Sequence, residues 1–210
     1  MTDARILVLG THNKKKRQEL ELLLAPWGFQ LLTLSDFDNS LDVEETGTTF
    51  AENAQLKATK QAQQLCHWVL GEDSGLSVRA LEGAPGIYSA RYSGPEATDE
   101  KNNKHLLDQL GDLKLSERAA HYTCHMSISD PGGTIRAASE AECHGRIRCQ
   151  EEGSNGFGYD PLFEILEYHQ TFGQLGPGVK SILSHRSRAT RQLVPQLLAL
   201  RKHWNDFTQE

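Results

Sequence analysis

The chain has 210 residues, of which 38% are hydrophobic and 24% charged, with a formal net charge of −6. An ordinary globular composition without low-complexity tracts argues against disorder, and the acidic balance argues against a duplex nucleic-acid partner, whose binders present basic faces. The apolar run after Arg5 is too short for a secretory signal and no stretch approaches a membrane span, so a cytoplasmic protein without a membrane partner is expected, with its cysteines reduced.

Two lobes around a cleft would fit this length, but residues 1–210 read as one folding unit. Ile6 to Leu9 has the character of a buried strand, and Gly10 to Asn13 is a polar turn before a helix. Leu20, Leu23, Leu24 and Trp27 line one side of that helix, which Pro26 and Gly28 end. A strand from Gln30 to Leu34 precedes an acidic loop carrying Asp36, Asp38, Asp42, Glu44 and Glu45. Thr49 and Glu52 then form a capping-box pattern at the start of a second helix running towards Trp68. Along it Ala54, Ala58, Ala62 and Leu65 form the apolar side, and Asn53, Lys57, Lys60 and Gln64 a polar stripe that reads most simply as solvated surface.

Val69 and Leu70 read as a short strand ending in Glu72-Asp73-Ser74-Gly75, followed by a loop from Gly83 to Gly86. Asp99 is expected to cap a helix through Leu106, Leu107 and Leu110 that stops at Gly111. Apolar alternation from Ala120 to Ile128 marks a half-buried strand, which Asp130 to Gly133 turns back into a partner near Ile135 to Cys143. After a glycine-rich loop from Gly153 to Gly158 come a strand from Leu162 to Ile165, a loop, and a C-terminal helix carrying Leu193, Leu197 and Trp204. Pro195 is expected near the start of that helix or at a kink. Helices and strands interleave, which predicts an α/β fold with a mixed sheet.

Cys66, Cys124 and Cys143 each precede a histidine, but the last two pairs lie in strands, where neighbours point to opposite faces. Small buried thiols beside exposed imidazoles explain these pairs better than a zinc site. Candidate Mg²⁺ ligands are instead the carboxylates of Glu44-Glu45 and Glu72-Asp73, since this ion needs only one or two carboxylates besides substrate phosphates. Thr11, Asn13 and Lys16 stand at a strand-to-helix junction suited to phosphate. Phe157-Gly158-Tyr159-Asp160 places aromatic rings beside a carboxylate, as a base pocket or as core. Lys180, His185 and Arg186 form a late basic group suited to phosphate or to a carbonyl oxygen on a base.

Six segments in order carry a resemblance: Thr11 to Lys16; Glu44 to Phe50 with Glu52-Asn53-Ala54 and Lys57-Ala58; Glu72 to Leu76; Gly83 to Tyr92; Gly156 to Pro161; and Ser184-His185-Arg186. Together the chain resembles the inosine/xanthosine triphosphate pyrophosphatase family over nearly its whole length. That resemblance implies an elongated, two-lobed α/β fold with a central cleft, usually a homodimer, which hydrolyses inosine, deoxyinosine and xanthosine triphosphates to the monophosphate and pyrophosphate with Mg²⁺. It implies Glu44 and Asp73 as metal ligands, Asp73 also as proton acceptor, and Ser74 as a substrate contact. Thr11, His12, Asn13, Lys14, Lys15 and Lys16 with Lys57 and Lys180 would hold the triphosphate, and Phe157, Gly158, Tyr159 and Asp160 with His185 and Arg186 the purine. Arg186 and the backbone N–H groups near Phe157 would donate to its six-oxo group.

The chain departs from the family pattern in three places. Glu72 stands where an aspartate is frequent, His12 where a glycine is common, and Gly176 to Val179 where acidic residues usually precede the lysine.

Overall fold

The structure is a computed structural model that describes residues 5–204, apart from the side chain of His203. Its strands are β1 (Ile6–Leu9), β2 (Gln30–Thr33), β3 (Trp68–Val78), β4 (Ala119–Ser129), β5 (Ile135–Ile147), β6 (Phe163–Ile165) and β7 (Gln170–Thr171). Between and after them come the helices α1 (Lys14–Leu24), α2 (Phe50–Leu65), α3 (Asp99–Leu110), α4 (Pro177–Leu183) and α5 (His185–Leu200). The strands form one sheet in the order β2-β1-β3-β4-β5-β6-β7. β1 runs parallel to β2 and β3, whereas β6 runs antiparallel to β5 and β7, so the expected mixed sheet of an α/β fold is present.

The chain divides into two compact units. The first takes the residues up to Asp73, Cys124–Ala141, and those from Arg186 onward; the second takes Ser74–Thr123 and Glu142–His185. β3, β4 and β5 therefore each contribute to both. In the first unit β1 is covered on both faces, as parallel strands require. Leu7 and Leu9 pack with Leu20 and Leu24 of α1 and Leu193 and Leu197 of α5, while Val8 faces the other way, towards Ala62 and Leu65 of α2. The second unit packs Leu106 and Leu110 of α3 with Tyr122, Ile147, Phe163 and Phe172. Among the described residues no helix is long and apolar enough to cross a membrane.

Four sequence expectations need correction. β3 does not end within Glu72-Asp73-Ser74-Gly75 but continues through them to Val78. Its polar run stays in the sheet because the carboxylates of Glu72 and Asp73 are paired with cations instead of water. Gly71 is a place of close approach rather than a breaker, since a Cβ there would stand 2.2 Å from Ala54 O and 2.6 Å from Ala58 N of α2. The cap of α3 is Thr98, whose hydroxyl accepts from Lys101 N, and Asp99 is the first helical residue. The segment around Lys180 is a helix, α4, with Pro177 in its first turn, where the missing N–H costs nothing. Of the two places expected for Pro195 the helix start is excluded, because α5 already begins at His185 and holds this proline in its interior; the helix ends at Leu200, before Trp204.

Candidate active site

In the first unit β1 delivers the chain to α1, whose cap is Asn13: its side-chain oxygen accepts from Lys15 N at 3.0 Å and Lys16 N at 3.1 Å. Thr11 accepts from Asn13 N, and the His12 ring nitrogen lies 3.1 Å from Leu41 O. Lys14 and Lys15 are exposed at the helix start, where their charge and the positive end of the helix favour an anion. Lys16 instead turns inward onto Glu72, with Nζ 3.0 Å from Oε2. The other oxygen of Glu72 accepts from Arg186 at 2.9 Å and lies 3.4 Å from the Cys124 thiol. Arg186, from the first turn of α5, also binds Glu19 of α1 and is 1% exposed. These carboxylates outweigh the desolvation of its guanidinium and keep it charged. Burial pushes the Cys124 thiol well up, so it is a neutral packing group rather than a nucleophile.

One residue further along β3, Asp73 is 5% exposed. Its Oδ1 accepts from Lys57 Nζ at 2.9 Å and its Oδ2 from Asn53 Nδ2 at 3.3 Å. The same Lys57 reaches Glu45 at 3.1 Å, so one ammonium bridges two carboxylates. Burial raises the pKa of Asp73, against the pull of Lys57 and Lys16. Burial works against the Lys57 ammonium too, but Asp73 and Glu45 overcome it and its pKa is raised. The result is a buried carboxylate whose burial favours the protonated form and whose two oxygens are held by a cation and an amide.

In the second unit Phe157, Asp160 and Lys180 meet. Asp160 Oδ2 accepts from Phe157 N at 2.8 Å and from Lys180 Nζ at 2.5 Å. The Lys180 ammonium lies 4.3 Å from the centre of the half-buried Phe157 ring. Gly158 N donates to Asp99 at 3.0 Å. Tyr159 points the other way, into the core, and its hydroxyl donates to Ser89 O at 2.8 Å. The His185 ring stacks on Tyr122 with centroids 4.6 Å apart.

The sequence profile of the Ham1 family matches residues 7–196. The chain belongs to the Ham1 family. It is 54% identical over 194 residues to the dITP/XTP pyrophosphatase of Rhodopirellula baltica, covering 92% of this chain and 93% of that one. To the Listeria monocytogenes dITP/XTP pyrophosphatase it is 42% identical over 192 residues, 91% of this chain and 94% of the relative. The structure of the Staphylococcus aureus Ham1 protein matches with a TM-score of 0.82 at 36% identity, over 93% of this chain and all of that one. A dITP/XTP pyrophosphatase from Mycobacterium abscessus matches with a TM-score of 0.73 at 35% identity, over 91% and 99%.

In this Ham1 chain the structure therefore gathers Lys16, Lys57, Asp73 and Arg186 in the first unit and Phe157, Asp160 and Lys180 in the second. Glu44 is exposed in its loop, and Glu45 is the residue whose carboxylate reaches Lys57. Ser74 is half-buried in β3. Lys180 sits against the Phe157 ring and the Asp160 carboxylate. The donors expected to read a six-oxo group are committed to carboxylates: Arg186 to Glu19 and Glu72, Phe157 N to Asp160, and Gly158 N to Asp99. Glu19 escaped the sequence reading, which placed Glu45 among the candidate metal ligands, Asn53 on the polar stripe of α2 and Asp99 at a helix cap without their partners here. Helical spacing held the signal for two of them, since Glu19 follows Lys16 by three residues and Asn53 precedes Lys57 by four.

Proposed function

We infer that this chain hydrolyses deoxyinosine, inosine and xanthosine triphosphates to the monophosphate and pyrophosphate, and so removes them before they enter DNA or RNA. The carrying observation is full-length kinship to dITP/XTP pyrophosphatases, together with a buried Asp73 paired to Lys57 in the same chain. Water attacks the α-phosphorus, the bond from that phosphorus to the bridging oxygen breaks, and pyrophosphate leaves. Asp73 accepts the water's proton. Lys16 and Lys57, with Thr11, His12, Asn13, Lys14 and Lys15 at the start of α1, hold the phosphates. Phe157 offers its ring face to the base, Gly158, Asp160, His185 and Arg186 shape that end of the site, and Tyr159 supports it from the core. Lys180, bound to Asp160, joins the other lysines in holding the triphosphate, and Ser74 follows the base Asp73 as a substrate contact.

The donor set fits a divalent metal. Asp73 and Glu45 already share one positive group, Lys57, and offer only oxygen, as Mg²⁺ prefers. Asp73 with Glu44 or Glu45 from the acidic loop would hold it, and when bound it would neutralise charge on the phosphates. EDTA is expected to abolish hydrolysis and Mg²⁺ to restore it; full turnover in metal-free protein would remove the metal from this proposal. We also propose that the two units act as one catalytic domain, in a cytoplasmic homodimer.

The test of substrate class is kcat/KM for inosine, xanthosine, guanosine and adenosine triphosphates, followed by pyrophosphate release. Inosine and xanthosine are expected to exceed adenosine strongly, because an amino donor at the six-position meets donors in a desolvated site and leaves groups unpaired at about 1–3 kcal/mol each. Equal efficiency on inosine and adenosine triphosphates would overturn the assignment.

A further inference from the structure

We propose that Asn53 is the positioning residue of Asp73, and that it ties the orientation of this carboxylate to the acidic loop before α2. The inference rests on Asp73 being the proton acceptor. Asn53 is 0% exposed. Its Oδ1 accepts from Gly47 N at 2.8 Å, and its Nδ2 donates to Asp73 Oδ2 at 3.3 Å.

The two ends of this amide are distinguishable by chemistry. Gly47 N can only donate, so the atom facing it must be the amide oxygen, which leaves the NH₂ for Asp73. Turning the amide over would oppose donor to donor at Gly47 and oxygen to oxygen at Asp73. A carboxylate held at one oxygen can still swing about its terminal torsion, a soft, broad well. Asp73 is held at both, Oδ1 by Lys57 and Oδ2 by Asn53, and its plane is thereby set.

The loop side of the link is equally constrained. A Cβ on Gly47 would stand 2.6 Å from Asn53 Oδ1 and 2.7 Å from Glu52 Cβ, so the loop passes Asn53 at a distance only glycine permits. Glu52 fixes the next residue by accepting from Thr48 N and its hydroxyl. Asn53 thus joins two things that must agree during reaction, the direction of the base and the path of the loop bearing Glu44 and Glu45. Its expected contribution is to alignment for proton transfer, with little effect on how tightly nucleotide is held.

The experiment measures kcat and KM for inosine triphosphate at saturating Mg²⁺ in the wild type, Asn53→Ala, Gly47→Ala, the double variant and Asp73→Asn. Each protein is also tested for thermal midpoint and for its stabilisation by inosine triphosphate in metal-free buffer. Asn53→Ala and Gly47→Ala should each lower kcat by about tenfold to a hundredfold, the scale of a small misalignment, with KM and the ligand-induced stabilisation preserved. Because the Cβ added by Gly47→Ala meets Asn53 as well as Glu52, the loss in the double variant should be smaller than the product of the two single losses. Wild-type kcat in Asn53→Ala would overturn the proposal, as would multiplicative losses in the double variant or a loss carried by KM and ligand stabilisation. Should Asn53→Ala fail to fold, Gly47→Ala alone decides by the same split between kcat and KM. Wild-type turnover in Asp73→Asn is a separate outcome, which defeats the assignment of the base itself.

Discussion

Asp73→Asn is expected to lower turnover by about a hundredfold or more while the protein stays folded, the usual scale for losing a general base. The asparagine has nearly the same shape, and its oxygen can still accept from Lys57. Burial already disfavours the charged form of Asp73, so removing that charge relieves desolvation as well as breaking an ion pair. Lys57 keeps Glu45 as a partner at 3.1 Å and is not left bare. The measurements are kcat by pyrophosphate release from inosine triphosphate and the thermal midpoint. Turnover near the wild-type value would move the base elsewhere. The next candidate would then be Glu45, because both oxygens of Glu72 are occupied by Arg186 and Lys16.

The pattern of elements was legible wherever local periodicity is strong. Leu7, Val8 and Leu9 announce a doubly covered strand, and the alternation from Ala120 to Ile128 announces β4. What local patterns could not reveal is pairing between distant residues. Glu72 and Asp73 look like the polar end of a strand until Lys16, Lys57 and Arg186 arrive from three other elements to neutralise them. The polar side of α2 shows the same limit. Asn53, Lys57, Lys60 and Gln64 read as one solvated stripe, yet Lys60 and Gln64 face solvent while Asn53 and Lys57 turn in beside a buried Gln61. Gln61 clamps Leu41 through both its N–H and C=O, so a helix face spaced by four residues organises the acidic loop. Tyr159 and Phe157 illustrate the converse, since either could have been core or pocket. Only Tyr159 is core, because its hydroxyl finds Ser89 O inside the second unit.

Arg186→Ala is expected to cost about 3 kcal/mol of stability, the low end for breaking a buried ion pair by removing one partner. The low end applies because neither carboxylate is stranded. Glu72 retains Lys16 at 3.0 Å, and the Glu19 side chain is 25% exposed and can be rehydrated. At roughly 2–4 °C per kcal/mol for a chain of this size, the midpoint should fall by roughly 6–12 °C. Arg186→Lys should fall less, because it keeps the charge while losing the fork that reaches two carboxylates at once. Glu72→Asp probes the same network from the other end. The longer side chain lets one oxygen meet Arg186 at 2.9 Å while the other meets Lys16 at 3.0 Å, and a shorter aspartate must loosen at least one of these. Thermal unfolding of the three variants should therefore rank Arg186→Ala below both conservative changes. A midpoint for Arg186→Ala equal to that of the wild type would show that the Glu19 and Glu72 contacts contribute nothing net to folding, leaving this arginine to act on substrate alone.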